Sequence, residues 1–212
     1  MNKYLYNPPG LIKKVFHEWN WNTVNNKILF TFDDGPIPET TPVILNTLDK
    51  NKIKAVFFCV GNNIDKNTGL AKEILSCGHE IGNHTYNHKV IAGLNRTDAV
   101  NEINSFINIA KDKLDYSPWH FRPPHGRFNF RTKNILKELD QSAVLWSLLT
   151  YDYKNDLNIV KLAVAKYLKR NSIIVLHDSL KSKDIILNSI EIILEQASKK
   201  GFETGEPTGC LK

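Results

Sequence analysis

Cysteine is scarce. Cys59, Cys77 and Cys210 are the only three in 212 residues, and an odd number cannot build a complete disulfide framework. Cys59, inside Val56-Phe57-Phe58-Cys59-Val60, reads as a small core hydrophobe. Long runs of one charge are missing as well. The 28 basic and 22 acidic side chains leave a net charge of +6, yet the longest basic runs are pairs such as Lys13-Lys14 and Lys199-Lys200. A nucleic-acid-binding chain clusters its positive charge, so no nucleic-acid partner is expected. The charge favours an anionic environment, an acidic wall polymer or a membrane surface, only weakly. No apolar run reaches transmembrane length. Near the N-terminus Leu11-Ile12 and Val15-Phe16 are split by Lys13-Lys14, so no export h-region forms there. The default expectation is a soluble, cytoplasmic chain without a transmembrane segment.

What is present is enough apolar material for a core. With 42% hydrophobic residues, the chain fits one α/β domain. Residues 1–26, with Tyr4, Tyr6, Trp19 and Trp21 and the break Pro8-Pro9-Gly10, read as an irregular arm packing its aromatics on the domain. From Lys27, strand and helix signals alternate. Strands are expected at 27–33, Ala55–Val60, just before Arg122, at Ala143–Trp146 and at Ile173–Leu176. Helices are expected near 40–51 (Val43, Ile44 and Leu48 on one face), from Leu70 to a stop at Gly78, from an N-cap at Thr97 to Leu114, and near 131–139, 160–168 and 184–199. Repeated β-then-α implies a mainly parallel sheet, open or closed into a barrel. The domain is expected to span 27–202, with 203–212 as a tail.

The polar clusters stand at the ends of the apolar strands. In parallel α/β folds these carboxyl ends share one side, where sites are built. Asp33 and Asp34 follow Ile28-Leu29-Phe30 and precede the turn formers Gly35 and Pro36. Two adjacent carboxylates repel unless a cation compensates them, and a metal plus an arginine would do so. His84-Thr85-Tyr86-Asn87-His88 places two imidazoles four residues apart; on a helical turn both share a face and can hold one metal. Two imidazoles and one carboxylate match the three-ligand pattern of catalytic zinc, the spacing leaving Asp33 and Asp34 both open as the third ligand. Arg122-Pro123-Pro124-His125-Gly126 is a stiff turn led by a cation. Its arginine can meet a carboxylate, and its backbone N–H an oxyanion. His177 ends a buried strand at Leu176-His177-Asp178, and Asp152 follows Trp146–Tyr151. His17, His79 and His120 read as structural.

Five segments in this order resemble the motifs of polysaccharide deacetylases, the NodB-homology domain of carbohydrate esterase family 4. They are Thr31–Pro36, His84–His88, Arg122–Gly126, Trp146–Tyr153 and Leu176–Asp178; the flanks Ala55–Phe58 and Gly78–Asn83 are similar too. The resemblance covers roughly residues 27–202, a domain-sized extent. It implies a distorted (β/α) barrel. Asp34, His84 and His88 would hold a divalent metal, usually zinc, with cobalt or another divalent ion as alternatives. Asp33 would be the general base, oriented by Arg122. His177 would be the general acid, supported by Asp152, and the backbone N–H of His125 would help bind the oxyanion. Pro124, Tyr153 and Leu176 would border the substrate, an N-acetylated glycan. Three positions depart from the pattern: His125 stands where tyrosine is common, Leu149 replaces the first acid of the fourth motif, and Tyr153 replaces its tryptophan. The expected reaction is removal of N-acetyl groups from a sugar polymer or oligosaccharide, with O-acetyl or imide hydrolysis and a non-catalytic glycan-binding module as alternatives. Peptidoglycan, chitin-like oligosaccharides, an exopolysaccharide and acetylated xylan are all compatible, as is any oligomeric state.

Overall fold

The computed structural model describes residues 5–212, so Tyr4 lies outside the described residues. Its strands are β1 (Leu29–Asp33), β2 (Val56–Cys59), β3 (Glu80–Asn83), β4 (His120–Phe121), β5 (Ser142–Ala143), β6 (Leu148–Leu149) and β7 (Ile173–His177). The helices are α1 (Gly10–Val15), α2 (Thr41–Lys50), α3 (Gly61–Lys66), α4 (Thr68–Ser76), α5 (Arg96–Leu114), α6 (Phe130–Glu138), α7 (Leu157–Tyr167), α8 (Ile186–Lys199) and α9 (Pro207–Cys210). The strands form one sheet in the order β5-β4-β3-β2-β1-β7-β6, and every pairing is parallel.

All five residues of β1 are buried, because both faces of the sheet are covered. Phe30 and Phe32 point outward into a layer shared with Ile44 and Leu48 of α2 and Ile190 of α8. Leu29 points inward and meets Val56, Phe58, Ile173 and the C-terminal Cys210 and Leu211. One layer higher on the inner side, Arg122 from the end of β4 donates to Thr31 and Asp33 of β1. With strands about 4.8 Å apart, that reach across two intervening strands requires a strongly curled sheet. The fold is an open, distorted barrel.

The arm helps to fill the gap between the sheet's two edges. Asn20 bridges Val144 on one side, and Asn22 bridges Ser172 on the other. Tyr6 is clamped between Tyr151 and Tyr167, with ring centroids 5.3 and 5.1 Å away. Its carbonyl accepts the Leu149 N–H at 2.8 Å. Phe16, Trp19 and Trp21 pack against Phe128.

Several local expectations need correction. Val43 is exposed, and the buried stripe of α2 is Thr41, Ile44, Leu45 and Leu48. The N-cap of α5 is Asn95, whose side chain accepts the Asp98 N–H, so Thr97 already lies inside the helix. The strand expected at Ala143–Trp146 stops at Ala143. The carbonyls of Val144 and Leu145 accept from the Arg122 guanidinium instead of continuing a ladder. The short helix α3 had no clear periodic signal in its polar sequence.

Candidate active site

The inner, C-terminal ends of β1, β3, β4 and β7 deliver the site. Asp33 is the last residue of β1 and the register partner of His177 on β7. Asp34 follows in a positive-φ conformation (φ 82), a costly state for a non-glycine residue. The surroundings impose it: Asp34 N–H donates to Phe58 O, and Asn63 donates to Asp34 O at 2.7 Å. Asp178 lies beneath the turn, fully buried, accepting from the hydroxyls of Thr40 and Thr41. A Cβ on Gly35 would meet its Oδ2 at 2.1 Å, so only glycine lets the turn sit this close. Burial lifts the Asp178 carboxyl to a pKa of about 7, against the lowering effect of the two threonine hydroxyls.

His84 and His88 do not lie on a helical turn. They flank a loop in which Thr85 and His88 themselves take positive φ, 65 and 56. What brings the rings together is bracing from outside the loop. The Asn83 side chain accepts the Thr85 N–H. Glu102 of α5 accepts both the backbone and side-chain N–H groups of Asn87, at 2.8 and 2.9 Å. The rings end 4.9 Å apart, centroid to centroid.

Asp34, His84 and His88 each offer one donor atom, and the three atoms lie within 4.8 Å of one another. His88 Nε2 is 3.2 Å and His84 Nε2 3.8 Å from Asp34 Oδ1. Three ligands about 2 Å from one tetrahedral ion stand roughly 3.3 Å apart, so this spacing suits a divalent cation. The tautomer suits it too. His84 Nδ1 lies 2.8 Å from the Arg122 carbonyl, which can only accept, so Nδ1 carries the proton and Nε2 turns its lone pair to the cluster. Burial pushes the His84 pKa down to about 4 and keeps the ring neutral.

Asp33 sits beside this cluster, its Oδ2 4.0 Å from His84 Nε2 and its Oδ1 2.7 Å from Arg122 Nη1. Burial alone would raise its pKa, but the Arg122 charge leads a set of opposing effects that holds it below the usual carboxylate value. Arg122 is fully buried, with its guanidinium 4.0 Å from the Phe58 ring centroid. On the other side, His177 Nδ1 and Asp152 Oδ1 are 2.7 Å apart, and the His177 N–H donates to Asp152 Oδ2 at 2.7 Å. Burial opposes charge on His177, yet Asp152, with smaller contributions from Asp34 and Asp33, raises the pKa to about 9. The ring is cationic at neutral pH, with Nε2 free of the Asp152 contact. Tyr153 packs edge-on against it at 4.7 Å.

His125 is exposed in a left-handed conformation (φ 55), its ring 4.7 Å from that of His88. Pro124 is buried behind it. Gly126 also has positive φ (62), and a Cβ there would strike the Trp146 ring at 2.3 Å. Of the residues expected to border the substrate, His125 and Tyr153 line the cleft, and Pro124 and Leu176 do not; Leu176 lies on the opposite face of its strand. Its side chain alternates outward into the layer beneath the helices and is fully buried there.

Sequence reading missed Glu102, Thr31, Thr40, Thr41 and Asp178 as supports of the site. Glu102 had a signal: it shares the apolar face of α5 with Ala99, Ile103 and Phe106, where an unpaired carboxylate is costly. His79 and His120 have structural partners. His79 Nδ1 accepts the Ala55 N–H, and His120 pairs with Glu80 at 3.1 Å.

Residues 21–144 match the family model described as polysaccharide deacetylase. A peptidoglycan-N-acetylglucosamine deacetylase of Bacillus cereus is 35% identical over 189 residues, covering 86% of this chain and 87% of that protein. PgdA of Listeria monocytogenes, also named peptidoglycan-N-acetylglucosamine deacetylase, is 31% identical over 180 residues, 84% of this chain. The matched region spans 37% of the length of PgdA. The crystal structure of the Bc1960 peptidoglycan N-acetylglucosamine deacetylase superposes with a TM-score of 0.86 at 28% identity, covering 96% of this chain and 97% of that one. The distorted barrel is the fold of these relatives, and the chain belongs to the polysaccharide deacetylase family.

Proposed function

We propose that the protein is a metal-dependent hydrolase that removes N-acetyl groups from an N-acetylated glycan and releases acetate. One observation carries this reading: a three-donor cluster stands beside a carboxylate held ionised (Asp33), whose register partner is an imidazole held protonated (His177). Hydrolysis of an amide needs both groups, because water is a weak nucleophile and an amine leaves badly unless protonated.

Asp34, His84 and His88 would hold the cation, and two imidazoles with one carboxylate suit zinc. A cation bound there supplies Lewis acidity, polarising the amide carbonyl and acidifying water. Asp33 accepts the proton of the attacking water; Arg122 keeps it ionised and fixes its direction. His177 donates from Nε2 to the departing nitrogen, while Asp152 holds the ring through Nδ1. The backbone N–H of His125, fixed by the proline turn, faces the developing oxyanion. Tyr153 and His125 border the substrate. The catalytic unit comprises residues 27–202, with 5–26 closing one side of its cleft.

The test is acetate release from N-acetylglucosamine oligomers by the zinc-loaded protein, beside O-acetylated xylo-oligosaccharides and a cyclic imide. Release from the N-acetyl substrate, lost in Asp33→Asn, supports the reading. Turnover confined to the ester or the imide overturns the N-deacetylase assignment, and release unaffected by Asp33→Asn overturns the mechanism.

A further inference from the structure

The cleft above the reacting groups is larger and greasier than one acetamido sugar needs. It encloses about 900 Å³, and beyond Asp33, Asp34 and His177 its wall passes to Leu5, Pro9, Ile12, Phe130, Leu149 and Trp146. The N-terminal arm supplies the far side of this wall. Helix α1 buries none of its residues; of its apolar side chains Ile12 lies in the cleft wall, and Phe130, in the same wall, is 64% exposed. The arm is nevertheless fixed in place through Tyr6 and Phe16, as described above. A rigid helix that hides none of its apolar side chains, set at the mouth of a reaction cleft, is a surface awaiting an apolar ligand.

The same cleft also carries two cations. Arg127 and Lys181 both line it and are exposed; neither makes an ion pair among the described residues. Both cations share this lining with Asp33, Asp34 and His177, and Arg127 follows His125 by two residues. In a 2-acetamido sugar the amide and the anomeric oxygen occupy neighbouring carbons, so an anionic group on that oxygen would lie close to the same cations.

We propose that the cleft takes an amphiphilic substrate: an N-acetylated sugar joined through a phosphate to a long apolar chain, with the chain lying along the N-terminal arm. The proposal rests on the deacetylase reading for the sugar end alone. Ile12 and Phe130 are the specificity-determining contacts for the chain, and Arg127 and Lys181 those for the phosphate.

The experiment measures binding by quenching of tryptophan fluorescence, since Trp21 and Trp146 line the cleft. The probes are N-acetylglucosamine 1-phosphate, its dodecyl phosphodiester, and the dodecyl glycoside lacking phosphate, all below micellar concentration. Each fully buried methylene strengthens binding about fourfold, so four seated methylenes give roughly 200-fold. The dodecyl phosphodiester is expected to bind at least ~100-fold more tightly than the sugar phosphate. Ile12→Glu and Phe130→Glu should each reduce that ratio at least ~10-fold. Leu11, 73% exposed on the same helix but off the cleft wall, is the control, and Leu11→Glu should leave the ratio unchanged. Arg127→Gln with Lys181→Gln should weaken the phosphodiester but not the glycoside. Equal binding of alkylated and unalkylated probes overturns the proposal, as does an equal effect of Leu11→Glu, which marks general adsorption. Binding is read without turnover, so absence of acetate release would count against the deacetylase reading alone.

Discussion

Asp33 and His177 face each other as register partners on neighbouring parallel strands, and each is tuned by a buried group of opposite charge. Arg122 holds Asp33 ionised, and Asp152 holds His177 protonated. Side chains at paired positions of a parallel sheet share a face. One register thus sets an ionised carboxylate and an imidazolium side by side, with Asp34, His84 and His88 beyond the strand ends.

The His177 side of the pair predicts a pH profile. With its pKa raised to about 9, activity that needs the imidazolium should hold through neutral pH and fall as pH rises past about 9. Asp152→Asn removes the charge responsible, so the alkaline limb should move toward the ordinary histidine value near 6.5. Rate at pH 8 should drop about 30-fold, the fall in the protonated fraction. Rate profiles of the two proteins check this.

Arg122→Ala should destabilise the fold by about 3–5 kcal/mol, because it leaves the buried Asp33 carboxylate without its partner. It also frees the carbonyls of Val144 and Leu145. Urea unfolding at pH 7 gives the number. A conservative Arg122→Lys should recover only part of it, since an ammonium cannot reproduce the planar fork that reaches Thr31, Asp33 and two carbonyls.

His79 makes a stability prediction away from the site. Burial lowers its pKa to about 4, below the unfolded value of 6.5. The unfolded chain therefore binds the proton first, and the stabilising contribution, complete above pH 6.5, is lost as pH falls toward 4. The loss is on the order of 3 kcal/mol. His79→Gln should flatten this stretch of the stability-against-pH curve.

Glu102 braces the loop between His84 and His88 without being able to reach the cleft itself. Glu102→Gln keeps the size but loses the charge and one acceptor for Asn87. Metal affinity, measured by competition with a chelator, should fall about 10- to 100-fold. Folding cooperativity should remain.

The layout of this site was legible because its chemistry lies at strand ends, which apolar runs mark clearly. Leu29–Asp33 and Ile173–His177 are such runs, and their terminal acid and imidazole could be placed on one side of a parallel sheet. Leu176 was misplaced because nearness in sequence to His177 does not survive period-two alternation, which turns it to the opposite face. The His84–His88 loop shows a different limit. Four-residue spacing suggested a helix, yet two positive-φ residues and a glutamate from α5 produce the same approach of rings, and such long-range bracing leaves no local pattern. The end of the strand at Ala143 is likewise tied to Arg122, 22 residues earlier in the chain than Val144, whose carbonyl it engages.

The most direct measurement is metal reconstitution coupled to acetate release. Protein stripped by a chelator is titrated with zinc or cobalt while N-acetylglucosamine oligomers are present, beside His88→Ala and Asp33→Asn. The expected result is release that returns with one equivalent of metal in the native chain. His88→Ala should require far more metal, and Asp33→Asn should bind metal normally yet release no acetate. Full release from the stripped native protein, or failure of the native chain to bind any divalent metal, would contradict the assignment of Asp34, His84 and His88.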